Sequence, residues 1–160
     1  MNVHTRRALL AGTVAMVATL GGCQVNSLDN ATGPTVDELA FAPSLGIDLA
    51  NFQETSSGLL FYDEVVGEGA PVVPGNRVFL AFTGWLPNGT QFDDSAGVEF
   101  QIGVGGLIFG FDEGVTNMKA GGIRWIIIPP ELGYSNSPPN GSAIPVNSFL
   151  VFKMELIEIL

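Results

Sequence analysis

The chain has 160 residues, 46% of them hydrophobic and 14% charged, with 21 glycines. This length suits one domain with a real core, and the composition indicates a globular, turn-rich protein rather than a disordered one. The 16 acidic residues outnumber the 6 basic residues and give a formal net charge of −10, so the chain is repelled by nucleic acid and we expect no nucleic-acid partner.

The first segment of the chain has the pattern of a bacterial export signal. A basic start, MNVHTRR, precedes an apolar run over residues 8–20 that is too short to span a bilayer comfortably. The run ends in LGGC, residues 20–23, which resembles the lipobox of bacterial lipoproteins. The resemblance implies a lipoprotein signal peptide over residues 1–22 and acyl chains on Cys23 that anchor the protein to a membrane. The alternative is an ordinary cleaved signal followed by a chance cysteine.

The predicted anchor places the mature protein in the cell envelope, on the extracytoplasmic side. Gln24 follows the cysteine, where some bacteria use Asp to retain a lipoprotein at the inner membrane, so an outer membrane or the periplasmic face is favoured. Residues 24–35 are polar and interrupted by glycine and proline, which indicates a flexible tether. We expect a tether and N-terminal extension over residues 23–56 and a folded domain over residues 57–160.

Removal of the signal changes the chemistry that the chain can perform. The only histidine, His4, leaves with two basic residues, so 4 basic residues remain against 16 acidic ones and the formal charge becomes −12. Without histidine there is no Ser-His-Asp or Cys-His triad, and a zinc site is disfavoured. Calcium bound by oxygen ligands remains formally possible, but no calcium-loop or phosphate-loop motif is present. We expect no cofactor and no metal.

Residues beyond the tether predict mostly strands. Residues 36–52 are more apolar than the tether, and we expect them to lie against the domain. Apolar or alternating runs then predict five strands, at residues 59–66, 77–86, 100–102, 123–128 and 149–160. A proline-rich loop separates the last two strands.

One segment breaks the strand pattern. Residues 107–118 are predicted to be helical because apolar side chains recur at spacings of three and four, at Ile108, Phe111, Val115 and Met118. Antiparallel strands with one short helix between them indicate an α+β domain whose helix packs on one face of a sheet. Nothing in the sequence suggests a coiled coil or a dimerisation domain, so we expect a monomer.

Five segments, taken in order, resemble the FKBP-type peptidyl-prolyl cis-trans isomerases. They are VFLAFTGWL at 78–86, NGTQFDDS at 88–95, GFDEGVTNMKAG at 110–121, IPPELGY at 128–134 and IPVNSFLVFKMEL at 144–156. The resemblance covers residues 57–160. It implies a curved antiparallel sheet wrapped around one short helix, and an enzyme that accelerates rotation about X–Pro bonds in proline-containing polypeptide clients.

The same resemblance implies a site. Phe111 would form the floor under the proline ring, the Ile108 N–H and the Tyr134 hydroxyl would bind substrate carbonyls, and Asp93 would face the twisted carbonyl or organise the polar edge. The apolar walls would come from Phe82, Phe92, Phe100, Leu107, Ile144 and Phe152. The strand and helix patterns alone would assign these aromatic side chains to the core.

Three departures from the family pattern bear on activity. Phe111 replaces a common Trp, Phe82 replaces a frequent Tyr, and the segment after Asp93 lacks an Arg that many members carry. These leave open a non-catalytic peptide-binding or chaperone module on the same fold, and a tethered structural domain. Asp93 and Asp94 are consecutive on an extended chain and should point to opposite sides, so we do not expect them to share a proton.

Overall fold

The computed structural model describes residues 35–160, and these belong to one compact unit. The predicted signal peptide, Cys23 and nearly all of the predicted tether lie outside the described residues. Within the described range, no helix has the length and apolar character needed to cross a bilayer.

Six strands form a single antiparallel sheet in the order β1-β2-β5-β6-β3-β4. Their bounds are β1 Gln53–Glu54, β2 Leu60–Val65, β3 Arg77–Trp85, β4 Gln91–Gln101, β5 Ile123–Ile128 and β6 Leu150–Ile159. The only α-helix in the described residues, α1, spans Phe109–Val115. Its side chains pack with those of the inner sheet face in one core. The predicted α+β architecture is confirmed.

The central strands carry apolar side chains on both faces. In β6, Phe152 packs into the inner core with α1, whereas the adjacent Val151 packs into a second cluster on the outer face. Both residues are buried because successive side chains of a strand point to opposite faces of the sheet, and both faces are covered here. The further part of β6 alternates buried Leu156 with exposed Glu155, as predicted for a strand half in contact with water.

The helix is shorter than the predicted span of residues 107–118. It begins after Ile108, whose extended backbone (φ −65°, ψ 145°) places this residue at the N-cap position. It ends because Thr116 returns to an extended conformation and Asn117 has a positive φ of 67°. The Thr116 hydroxyl also donates to the Asp112 carbonyl at 2.8 Å, which satisfies a carbonyl at the end of the helix. Met118, the periodic apolar residue beyond Val115, lies in a turn and packs into the core from there.

Strand β4 is the largest error in the predicted elements. Only residues 100–102 were predicted as a strand here, whereas β4 has 11 residues and pairs with β3 along its length. Acidic and small residues between Asp93 and Gly97 lower its intrinsic strand propensity. The pairing with the strongly apolar β3 supplies the hydrogen bonds that propensity does not predict. Two register shifts in this pairing mark bulges, one of which leaves Phe92 without a partner on β3.

The N-terminal segment of the described chain covers the outer face of the sheet. Leu45 is buried there with Phe149 and Val151, and Phe41 packs against them, so residues 36–52 lie against the domain as expected. Trp85 and Trp125 stack beneath this segment with their ring centroids 5.7 Å apart. The Ala42 N–H donates to the Pro87 carbonyl at 2.8 Å, which attaches the segment to the β3–β4 turn.

Arg124 on β5 fastens the end of α1 to the sheet. Its guanidinium donates to the Gly114 and Thr116 carbonyls at 2.9 and 3.2 Å and forms two hydrogen bonds with the Asp63 carboxylate on β2. The guanidinium carbon also lies 4.8 Å from the centre of the Phe61 ring. This buried charge is therefore fully partnered, as a buried guanidinium must be.

Candidate active site

An apolar cavity of about 320 Å³ opens between α1, the inner sheet face and the loop before β6. It is lined by Phe82, Asp93, Phe100, Gly105, Gly106, Leu107, Ile108, Phe111, Tyr134 and Phe152. Eight of these ten residues are among the site residues that the sequence resemblance implied. They come from β3, β4, α1, β6 and two loops, so only the folded chain brings them together.

Phe111 occupies the centre of an aromatic cluster. Its ring centroid lies 5.5 Å from that of Phe82, 5.5 Å from that of Phe100 and 5.3 Å from that of Phe152, all in edge-to-face geometry. This geometry is the favourable one for aromatic pairs because the positive ring edge meets a negative ring face. Only 4% of Phe111 is exposed, so its ring can present one face to the cavity while its edges are held by neighbours.

The polar edge of the cavity consists of Asp93 and Tyr134. Burial of the Tyr134 side chain raises the pKa of its hydroxyl, and the negative charge of Asp93 raises that pKa further. Both effects favour the neutral phenol over the phenolate. The Tyr134 hydroxyl therefore stays protonated and remains a hydrogen-bond donor throughout the neutral pH range.

The cavity mouth is formed by the segment that leads into α1. Ile108 stands at the N-cap, and the N–H groups of residues 108–110 precede the first helical hydrogen bonds, so the helix itself provides no acceptor for them. The Gly103 N–H donates to the Asp112 side chain at 3.1 Å, which fastens the loop to the helix it precedes. Gly105 has a positive φ of 81°, a conformation that an L side chain rarely adopts.

Two residues implied as walls, Phe92 and Ile144, do not line the cavity. Phe92 is the unpartnered residue of the β4 bulge, and its ring packs edge-to-face on Phe152 with centroids 5.4 Å apart. A side chain at Gly84 would approach the Phe92 ring to 2.8 Å, so the glycine makes room for this ring. Ile144 is 7% exposed and belongs to the inner core. Both side chains support the cavity from outside its lining.

The two adjacent acids have separate environments. Asp93 lines the cavity, whereas Asp94 is outside the lining and its carboxylate accepts a hydrogen bond at 2.8 Å from the Gln91 side-chain amide. The three ion pairs found among residues 35–160 join Arg77 to Glu99, Arg124 to Asp63 and Lys153 to Glu64, and none of them involves Asp93. Asp93 therefore acts on the cavity without a basic partner in the described chain.

Comparison with known proteins identifies this arrangement. The family model described as FKBP-type peptidyl-prolyl cis-trans isomerase matches residues 69–157, more than half of the chain. The chain belongs to this family. It is an FKBP-type peptidyl-prolyl cis-trans isomerase.

Individual relatives agree with the family assignment. The chain is 40% identical to the FK506-binding protein of Neisseria meningitidis serogroup B over 106 residues, which are 64% of this chain and 96% of the relative. It is 37% identical over 115 residues to the isomerase FkpA of Buchnera aphidicola (subsp. Schizaphis graminum), covering 70% of this chain and 45% of that protein.

Solved structures share the fold. The crystal structure of AtFKBP13 matches with a TM-score of 0.63 and 36% sequence identity, covering 68% of this chain and 98% of that one. The crystal structure of FkpA from Escherichia coli matches with a TM-score of 0.63 and 31% identity, covering 73% of this chain and 55% of that one. The FKBP fold implied by the sequence is thereby confirmed.

Two lining residues of this FKBP cavity, Gly105 and Gly106, were missed by the sequence analysis. The segment GVGG, residues 103–106, has too few matches to a dinucleotide-binding loop and belongs to none of the five segments that resemble the family. The position of the segment shortly before the helix that carries Phe111 could have indicated this role. Two adjacent glycines there have no side chains to block the cavity mouth. Among residues 35–160, no three His, Cys, Asp or Glu side chains are grouped closely enough to hold a metal ion.

Proposed function

We propose that the cavity around Phe111 accelerates rotation about X–Pro bonds in exported proteins, without covalent or metal chemistry. The observation that carries this proposal is that a single cavity is lined mainly by aromatic side chains and has polar side chains only at Asp93 and Tyr134. The proline ring would occupy the enclosure above Phe111. Its preceding carbonyl would face the polar edge.

The chemistry of the reaction suits such a cavity. The planar peptide bond owes its rotation barrier of about 18–20 kcal/mol to amide resonance, which also separates charge between oxygen and nitrogen. At the twisted transition state this resonance is lost and the amide is less polar. An apolar cavity that excludes water therefore favours the twisted form over the planar substrate, and differential binding of this kind lowers the barrier.

Hydrogen bonds would hold the peptide while its bond rotates. In this proposal the N–H of Ile108 and the hydroxyl of Tyr134 each donate to a substrate carbonyl. Burial, and to a smaller extent the negative charge of Asp93, raise the pKa of this hydroxyl and so favour its protonated, donating form. Asp93 also faces the carbonyl that leaves the amide plane. Phe82, Phe100, Leu107 and Phe152 exclude water from the rotating bond.

The cellular setting proposed for this reaction rests on the N-terminal sequence. A basic start, an apolar run and the LGGC segment support export and acylation of Cys23. The enzyme would then be tethered as a monomer in the cell envelope, facing exported clients from an outer membrane or the periplasmic face. Metabolic labelling with a fatty acid is expected to mark the protein and not its Cys23→Ser variant. An unlabelled wild-type protein contradicts the anchor.

The catalytic roles are tested by matched substitutions. Asp93→Leu and Tyr134→Phe are expected to lower kcat/KM on a prolyl tetrapeptide by about threefold to tenfold, the range expected for losing one hydrogen bond. Asp94→Leu and Tyr62→Phe remove the same groups outside the cavity and should leave activity unchanged. The assay is run in the cold, where spontaneous exchange is slow.

A second candidate function is a non-catalytic peptide-binding or chaperone module. It is favoured by two features: no ion pair among residues 35–160 involves Asp93, and Phe82 stands where a tyrosine is frequent in the family. A folded wild-type protein that binds prolyl peptides without accelerating their isomerisation would support this function. It would contradict the assignment of catalysis to the cavity.

A further inference from the structure

A run of eight residues beside the cavity, GVGGLIFG at 103–110, contains no polar side chain. Two of its large side chains are open to water, since 76% of Phe109 and 58% of Val104 are exposed. Scattered apolar residues on a surface are ordinary, but a continuous apolar run next to a cavity is typical of a binding surface. We call residues 103–110 the apolar collar.

The collar is continuous with the cavity. Its four middle residues, 105–108, line the cavity mouth, so any polypeptide entering the cavity passes over them. Phe109 and Phe111 lie two residues apart on α1, which separates their directions by about 200° around the helix axis. Phe111 therefore faces the core and Phe109 faces the solvent. The hydrogen bond from the Gly103 N–H to Asp112 holds the collar beside the helix.

The charge of the chain limits what can bind there. The chain carries 16 acidic residues against 6 basic ones, and three basic residues of the described chain, Arg77, Arg124 and Lys153, are engaged in ion pairs. Asp93 adds a negative charge inside the cavity itself. An anionic lipid surface is repelled by this chain, whereas a polypeptide of net positive charge is attracted to it.

We propose that the apolar collar binds apolar side chains of a non-native, net-basic polypeptide segment whose proline occupies the cavity. This inference rests on the proposed function and adds the class of client to it. A native protein buries most of its large apolar side chains, so an unfolded segment presents more of them beside an accessible proline. The collar thus directs the isomerase to unfolded chains in preference to short peptides, which do not extend beyond the cavity.

The test compares two substrates and three variants of the full chain. One substrate is a prolyl tetrapeptide with alanine before the proline, and the other is a basic protein, added unfolded, whose refolding is limited by one prolyl bond. A variant of that protein that stays unfolded serves for the binding measurement. The collar variant is Val104→Ser/Phe109→Ser. Phe109→Leu keeps an apolar side chain at the same position, and Val66→Ser changes a valine that is 71% exposed outside the cavity lining.

The double variant is expected to lose about tenfold in kcat/KM on the unfolded protein and less than twofold on the tetrapeptide. Phe109→Leu and Val66→Ser should resemble the wild type on both substrates. Binding of the fluorescently labelled unfolded protein, measured by anisotropy, should be weaker for the double variant than for the wild type. For the wild type, this binding should strengthen at low salt. This binding measurement remains decisive if the wild type shows no isomerase activity, so failure of the proposed function is distinguished from failure of the collar.

Four outcomes overturn the inference. Equal losses on both substrates mean that the substitutions damage the cavity, and unchanged binding of the unfolded protein means that the collar does not contact clients. Concentration-dependent dimerisation that the double variant abolishes would make the collar an interface between two copies of this chain. Binding to vesicles of zwitterionic lipid that requires Phe109 would make the collar a membrane contact.

Discussion

Asp93 and Tyr134 carry the only polar side chains among the described residues that line the cavity. Their proximity has an electrostatic consequence. The raised pKa of Tyr134 means that the fold favours the protonated phenol, so any stability that this group contributes is present below pH 10 and is lost as the pH rises further. At neutral pH the pair consists of a donor beside a negative charge.

Titration of one tyrosine tests this pair. The chain has 2 tyrosines, so Tyr62→Phe leaves Tyr134 as the only phenol. Its phenolate absorbance should appear with a midpoint above the ordinary value of about 10. Adding Asp93→Asn should lower that midpoint, but leave it above the ordinary value, because burial is the larger of the two causes. A midpoint unaffected by Asp93→Asn would show that the two groups do not interact.

At the scale of elements, the close packing of α1 on β5 depends on two glycines. A side-chain carbon at Gly110 would lie 2.4 Å from Ile128 Cγ2, and one at Gly114 would lie 2.8 Å from Ile126 Cδ1. The glycines therefore allow the helix to approach the sheet closely. This approach sets the depth of Phe111 in the cavity, since Phe111 lies on the same short helix.

Gly110→Ala is expected to destabilise the protein, although alanine favours a helix over glycine. The branched Ile128 side chain is stiff and its Cγ2 cannot withdraw, so overpacking costs about 1–3 kcal/mol of unfolding free energy and outweighs a propensity gain of about 1 kcal/mol. Denaturant unfolding measures the difference. In an Ile128→Ala background the cost should disappear. A stabilised Gly110→Ala protein would contradict this packing.

Arg124 connects the same helix to strand β2 through Asp63. Arg124→Gln is expected to lower the unfolding free energy by about 3 kcal/mol, the low end for a buried ion pair, because water reaches the 30% exposed Asp63 side chain. Arg77→Gln breaks the ion pair with Glu99, in which the arginine side chain is 63% exposed, and should cost about 0–1 kcal/mol. Equal losses in the two variants would refute the distinction between the buried and the exposed pair.

At the scale of the whole molecule, the segment over residues 36–52 gives the sheet a second covered face. The inner face packs against α1 and holds the cavity, while the outer face packs against this segment. The hydrogen bond from Ala42 to Pro87 attaches the segment to the turn that leads into β4, which carries Asp93. Residues 36–52 are thus part of the fold that supports the cavity.

Leu45→Ala probes the outer cluster. Leu45 is 8% exposed, and its truncation should lower the unfolding free energy by about 2–5 kcal/mol, the range for a buried leucine. Val66→Ala, at an exposed position, should change it by less than about 0.5 kcal/mol. Chemical denaturation followed by tryptophan fluorescence reports the change directly, since Trp85 and Trp125 border the cluster. An unchanged midpoint for Leu45→Ala would mean that the segment is not held to the sheet.

The sequence predicted the elements that carry a strong apolar pattern. Strand β5 was predicted with its observed bounds, and β3 within one residue, because both strands are mostly apolar and contribute side chains to the covered faces of the sheet. Strand β4 was mostly missed because its extended conformation comes from pairing with β3, a partner that no local pattern reveals. The helix was overextended because Met118 faces the core from a turn and imitates the helical period.

The sequence by itself determined the class of chemistry and the identity of the family. Motifs in order indicated an FKBP domain, and the mature sequence beyond the predicted signal contains no histidine for a triad. The tertiary structure decided which side chains face the cavity. Whether Phe92 lines the cavity or packs on Phe152 depends on a bulge in the β3–β4 pairing, and the collar arises only because α1 turns Phe111 inward and Phe109 outward. Such outcomes depend on contacts between segments distant in sequence, so they follow from packing and not from any local pattern.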